Sequence, residues 1–424
     1  MTSAVHDHYV NKTKHALVWT HLLSEPFISI YALLPVIMTK YLGASAFQIA
    51  LLTMLRPTVS VFAFYWSAPI ASRRDRLLPN LLIASVLAVA PFLLLPWYHG
   101  VSFLIFAAAT YSFFYRARIP ALMEILKLNV PKQPRERLFS SVSALAYGEG
   151  LVVGIIIGML LDRYLASWPL IFCVTSLFVM AGVAIQSLVP VRGAESFPTS
   201  GESCSPTAIR RQTPLEWLTQ PWKDSFRLLR ERPDFAHFQK AFMISASGLM
   251  FAMPAIPFFL TDMNLSFTEL VISFNLCKGL GFVCTSPLWA RALKHFSIQE
   301  TSRLFFICFA LFFGALLLAP MGLAWLFTAY LCYGVAQAGS HLVWHLSGSF
   351  FCGKEDSSPF STVGVLMVGL RGAIAPFVGA LFCDHFGPYY TLAVGMLTCL
   401  YGSWYVCVAR FSPAPYRVAD QSGI

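Results

Sequence analysis

Five ionisable side chains stand in the middle of apolar runs: Glu25, Arg56, Glu149, Lys278 and Arg371. A charge at the centre of a bilayer costs about 2.5–3.5 kcal/mol on the insertion scale, so such groups face one another, water or a polar solute. Buried carboxylates carry protons or pair with bases, and guanidinium or ammonium groups hold anions or pair with acids. Counted at about 1.5 Å per residue from the expected helix starts, the five lie roughly 13, 15, 16, 16 and 16 Å deep. Half of a bilayer core is about 15 Å. Charges on five helices at one depth read as the lining of a central passage that contacts a solute or exchanges salt bridges as it opens to alternate sides. The competing reading is a set of ion pairs that only lock helices together. Three bases and two acids attract an anionic or zwitterionic solute more than a cation. Glu25 and Glu149 are the candidate proton carriers, and Pro26, lacking an amide, predicts a local kink beside Glu25.

Secondary candidates lie nearer the helix ends. Arg116 and Arg118 are two residues apart and therefore on different faces of the fourth helix. One is expected at a cavity mouth, and the other reaches out toward lipid phosphates. His341 and His345 share a face at a spacing of four, but no further ligands accompany them, so cavity lining or helix contacts are expected rather than a metal site. Tyr31, Tyr65, Tyr111 and Tyr333 fit packing as well as they fit solute stacking.

The elements that must position these groups follow from composition. The chain has 424 residues, of which 57% are apolar and 12% charged, against about 45–50% and 25% in soluble domains. That excludes a water-soluble globule, a disordered chain and a nucleic-acid-binding domain. Twelve apolar runs are each long enough to cross a bilayer: 16–41, 46–71, 77–97, 101–124, 138–161, 168–190, 237–261, 267–290, 303–320, 323–349, 360–383 and 388–409. Lipid offers backbone amides no partner, so the runs must be helices and the fold all-α. Lysine and arginine fall 23 to 2 on alternate sides of these runs, which puts both termini and the central loop in the cytoplasm of a bacterial inner (plasma) membrane. No removable signal peptide is expected ahead of the first run. Eight of the ten cysteines lie inside apolar runs, Cys204 and Cys352 lie in polar stretches, and no C-x-x-C pair occurs; packing is their expected role.

The one long linker divides the runs six and six. The expected organisation is residues 1–190 as an N-terminal six-helix half, 191–236 as a cytoplasmic linker and 237–424 as a C-terminal six-helix half. Within the linker, Leu215–Arg232 patterns as a helix able to lie on the membrane with Trp217, Trp222, Phe226 and Leu229 toward lipid. The two halves repeat at a shift of 222 residues, which superposes Pro35 on Pro257, Arg56 on Lys278, Tyr111 on Tyr333, Gly150 on Gly372 and Asp162 on Asp384. Around the last pair, GLVVGIIIGMLLDRY and GAIAPFVGALFCDHF share small residues every four positions, a bare stripe against which another backbone can pack. On the same shift Glu149 matches Arg371, which makes an ion pair between halves plausible.

Taken together, the six-plus-six arrangement, the cytoplasmic linker, LGASAFQIALL between the first two helices, the basic SRRDR loop and the glycine-rich fifth helix resemble the major facilitator superfamily. That resemblance implies two pseudo-symmetric six-helix bundles and secondary transport. The family's loop after helix two carries an aspartate where this chain has Ala71, and only the basic end Arg73, Arg74 and Arg76 survives. The second copy, SPLWARALKH, is degenerate as well.

No phosphate-binding G-x-x-x-x-G-K-[ST] and no H-E-x-x-H or G-x-S-x-G motif occurs, so neither ATP-driven pumping nor enzyme chemistry is expected. The reading is a proton-coupled secondary transporter for a small polar or anionic solute, monomeric, with lipid as its surroundings and with no cofactor, metal or nucleic-acid partner. Its rivals are a uniporter or exchanger without proton coupling, a lipid-modifying membrane enzyme, and a transporter-like sensor that signals through the central loop.

Overall fold

The computed structural model describes residues 3–67, 74–191, 214–351 and 358–408. Within them the regular structure is helical: α1 (Ser3–Lys40), α2 (Ala46–Ser67), α3 (Leu77–Val89), α4 (Val101–Asn129), α5 (Lys132–Arg163), α6 (Trp168–Gln186), α7 (Pro214–Glu231), α8 (Pro233–Ala252), α9 (Ala255–Asp262), α10 (Phe267–Val271), α11 (Lys278–His295), α12 (Ile298–Leu317), α13 (Leu323–Phe351), α14 (Ser358–Phe386) and α15 (Pro388–Val408). Cys204, Cys352, Arg73 and residues 192–213 of the linker lie outside the described residues.

Twelve crossings account for these helices, apart from α7 in the linker, once broken ones are joined. The seventh is α8 followed by α9, bent by 43°. The eighth is α10 and α11 joined by a π-helical turn, Ile272–Cys277. A 3-10 turn, Ala90–Leu94, lengthens the third. Counting the bent α8–α9 pair as one span, eight helical stretches among the described residues are by themselves long and apolar enough to cross a membrane. Several helices overrun the bilayer; α1, at 38 residues, is about 57 Å long. It is one continuous helix through Pro26 and Pro35.

Two compact units emerge. The first holds α1–α6 together with Asn264–Asn275, and the second holds α7–α9 and the chain from Leu276 through α15. In the first, α1 packs on α5 and α6, and α4 packs on α2 and α3. Its centre is aromatic: Phe27 meets Phe92, Tyr111 and Phe172 at ring-centroid distances of 5.0, 5.1 and 6.0 Å. An aliphatic cluster of Ala16, Leu77, Leu81, Ala121, Ile125 and Val189 closes one end. Since lipid is as apolar as these side chains, dispersion contacts and close approach hold such a bundle rather than expulsion of water.

The second unit is built on α8, which packs against α14 and α15, with α12 between α13 and α15. Phe235 meets Phe351 and Phe360, and Phe238 meets Phe351, in tilted and edge-on contacts, while Phe242, Phe305 and Phe306 form a second aromatic group. The expected linker helix is present as α7. Among its described side chains Ser225 is buried, and α7 lies against α14 and α8. Arg232 ties the α7–α8 junction: its fork binds the Asp234 carboxylate at 3.2 and 3.1 Å, one nitrogen also donates to the Phe351 carbonyl at 2.7 Å, and its plane covers the Phe360 ring.

Candidate functional site

The glycine stripe of α5 organises the first unit's polar groups. Glu25, on α1, is half-buried, and a Cβ added at Gly150 would come 2.5 Å from its Oε1. The absence of a side chain at Gly150 therefore leaves room for that carboxylate to rest on α5, next in sequence to Glu149. Glu149 is itself half-buried, and its Oε2 has no hydrogen-bond partner among the described residues. The Gly150 carbonyl accepts from Ser29 Oγ at 3.4 Å and from Asn275 Nδ2 at 3.1 Å. Two of the sequence-predicted residues, Glu25 and Glu149, are thus brought to one place. Arg56 belongs to the same unit, immediately before Pro57 on α2; its side chain lies outside the described residues.

Further along the stripe, a Cβ at Gly154 would lie 2.6 Å from Asn275 Nδ2 and 2.9 Å from Val271, and one at Gly158 would lie 3.0 Å from the Thr268 backbone. The bare face is the bed on which Asn264–Asn275 rests. At its end Asp162 accepts from Phe267 N at 2.6 Å, Thr268 N at 3.0 Å and Thr268 Oγ1 at 2.6 Å. Ser266 accepts from Glu269 N while the Glu269 carboxylate accepts from Ser266 N. Every backbone N–H that a helix start leaves orphaned is therefore met, two of the four from α5. Lys40 adds a hydrogen bond to the Leu265 carbonyl at 2.8 Å and sits over the Phe267 ring. The segment departs from this bed within the π-helical turn, a geometry that recurs at functional sites.

The second unit carries the other two principal candidates. Lys278 is the first residue of α11, directly after the π turn, with its ammonium 6.0 Å from the Tyr333 ring centroid. Arg371, on α14, is 7% exposed. Its guanidinium covers the Phe242 ring at 5.5 Å, and its Nε has no hydrogen-bond partner among the described residues. A buried guanidinium held by a ring face is stabilised by cation–π attraction of about 2 kcal/mol when desolvated, which falls short of a full set of partners.

The secondary candidates divide. Arg116 is exposed. Arg118 turns inward, stacking on Tyr115 at 4.5 Å and reaching Ser85 Oγ at 3.5 Å. His341 is exposed on α13 with its ring edge-on to Phe282; the side chain of His345 lies outside the described residues. Among the described residues no group of three or more His, Cys, Asp or Glu side chains is arranged to hold a metal. Asn275 and Ser266 escaped the sequence reading, since an amide or hydroxyl in an apolar run carries no charge to mark it. Asp162 did leave a mark, through its repeat at Asp384.

The sequence model of the Major Facilitator Superfamily matches residues 26–358. No curated protein sequence matches the chain. Among solved structures, a mutant of the nucleoside transporter NupG superposes with a TM-score of 0.72 at 13% identity, covering 93% of this chain and 99% of its own. A peptide transporter POT mutant in complex with alafosfalin gives 0.70 at 14% identity, covering 94% of each chain. A bacterial homolog of the human lysosomal transporter Spinster gives 0.60 at 16% identity, covering 96% of this chain and 99% of its own. At these identities the likeness is one of fold. A family match over most of the chain, on an all-helical polytopic fold with charged groups held inside its bundles, makes this a multi-pass membrane transporter belonging to the Major Facilitator Superfamily.

Proposed function

We propose that the protein is a secondary transporter that moves a small polar or anionic solute by alternating access, coupled to protons through Glu25 and Glu149. The observation that carries this reading is that the Glu25 carboxylate rests against Gly150, the residue after Glu149, whose own carboxylate has an oxygen without a partner among the described residues. Like charges gathered inside a low-dielectric bundle repel, and a proton taken up removes the repulsion. A group that gains and loses a proton in mid-membrane is what coupling to a proton gradient needs. Arg56, Lys278 and Arg371 supply positive charge for an anion. The solved transporters of similar fold named for nucleosides and peptides support a small polar solute. The protein acts as a monomer in the bacterial inner membrane, termini in the cytoplasm, without enzyme activity.

The Asn264–Asn275 segment is the moving part in this scheme. Sequence order puts it in the C-terminal half, contacts put it with α5, and its release at the π turn would let the passage open. Identifying the solute comes first: candidate metabolites that raise the melting temperature of the purified protein bind its folded state. Uptake of the solute into proteoliposomes under an imposed pH gradient then tests coupling. Glu25→Gln and Glu149→Gln should abolish accumulation and leave exchange intact; accumulation that survives in both removes proton coupling through this pair.

A further inference from the structure

Arg118 has no role in the scheme above, and its surroundings are unusual for a charge in a membrane bundle. It lies on α4 in a recess formed with α1, α3 and α6, lined by Ser24, Phe27, Ser85, Tyr111, Tyr115 and Val179 among others. The described residues set three groups near its guanidinium: the Tyr115 ring at 4.5 Å, Ser85 Oγ at 3.5 Å, the latter at the limit of a hydrogen bond, and the His21 side chain within electrostatic reach. None is a carboxylate. A guanidinium offers five N–H donors in a fixed fork, so most of this one's capacity is unspent.

Ser85 is the second observation. Hydroxyls in these helices ordinarily return their proton to a carbonyl one turn back: Ser24 donates to Thr20 O at 2.6 Å, and Ser176 to Phe172 O at 2.7 Å. Ser85, 1% exposed, makes no such bond among the described residues and only accepts from Arg118. Its proton is free to point into the recess. Two donor groups therefore converge on a space of about 10 Å³, enough for one water-sized or halide-sized occupant. The other walls are the rings of Phe27, Tyr111 and Tyr115, whose edges are positive, together with aliphatic side chains and Ser24.

We propose that this recess is a binding site for one compact monovalent anion, held between the Arg118 guanidinium and the Ser85 hydroxyl and walled by Tyr111 and Tyr115. The guanidinium brings a full positive charge with no carboxylate beside it among the described residues, and that favours an anion over a neutral water. The anion serves as the counter-charge of Arg118 and steadies the packing of α3 against α4. A halide and the carboxylate of a small organic acid share the chemistry, and they are told apart below.

The test is the thermal unfolding of the full-length protein in nanodiscs, in gluconate at constant ionic strength, with chloride or formate titrated in for gluconate. The expected result is a saturable rise in melting temperature of about 2–5 °C. Chloride acting at lower concentration identifies a halide site, and formate acting at lower concentration identifies a carboxylate site; both support the proposal. Arg118→Gln should remove the rise, and Ser85→Ala, a milder change that keeps the fold, should move its midpoint at least threefold higher. Identical melting in gluconate, chloride and formate would mean that water fills the recess and would overturn the proposal. An unchanged midpoint in Ser85→Ala overturns it too, by showing that the anions act elsewhere. Because no transport is measured, the outcome is independent of the roles given to Glu25 and Glu149.

Discussion

Replacing Asp162 by alanine removes the clamp that seats the start of the eighth crossing on α5. Three hydrogen bonds are lost, to Phe267 N, Thr268 N and Thr268 Oγ1. Bonds to a charged acceptor are worth about 1.5–3 kcal/mol each where water is excluded. Asp162 is exposed, so water replaces part of what is removed, and loss of a helix cap of this kind typically costs about 0.5–2 kcal/mol. The self-contained cap of Ser266 and Glu269 survives the mutation and limits the damage. The expected loss is therefore about 1–2 kcal/mol, confined to the segment. Since 1.4 kcal/mol is a factor of ten, backbone amides in 264–271 should exchange with deuterium about 5–30 times faster than in the parent, while those of α12 keep their rates. Hydrogen exchange read by mass spectrometry on peptides covering the two regions makes the comparison. Asp162→Asn, which keeps one acceptor oxygen but no charge, should fall between. Unchanged exchange over 264–271 in a folded Asp162→Ala protein would refute the clamp.

Three other outcomes are expected. Gly158→Val forces side-chain atoms toward the Thr268 backbone, already 3.0 Å from a Cβ position; overpacking should cost about 1–3 kcal/mol and lower the melting temperature, and no change would mean that the bed is not tightly packed. Arg371→Met removes a buried guanidinium whose Nε lacks a partner, so stability should hold or rise while uptake of the identified solute is lost; a marked fall in melting temperature with uptake retained would assign Arg371 to holding helices together. Deleting residues 196–212 should leave flux unchanged, whereas a transporter-like sensor would lose its signal.

Much of the fold was legible because a bilayer allows a chain few options. Long apolar runs have to be helices, and the distribution of lysine and arginine sets their expected orientation, so twelve crossings and a helix in the linker follow from composition and pattern alone. The sequence also marked Glu25, Glu149 and Arg371, since a charge in an apolar run stands out whatever surrounds it. Which of two neighbouring arginines turns inward was not legible. Arg116 and Arg118 differ by a rotation of about 200° on one helix, and only the packing of α3 and α4 decides that Arg118 meets Tyr115 and Ser85.

The break in the seventh crossing and the π turn in the eighth were equally hidden, because apolar periodicity is blind to a local change in hydrogen-bond register. The seating of Asn264–Asn275 on α5 depends on contacts between residues more than a hundred positions apart. A sequence states what each residue can donate, accept or bury. Which donor finds which acceptor is settled only when helices close in, and here the glycines of α5 set how near they come.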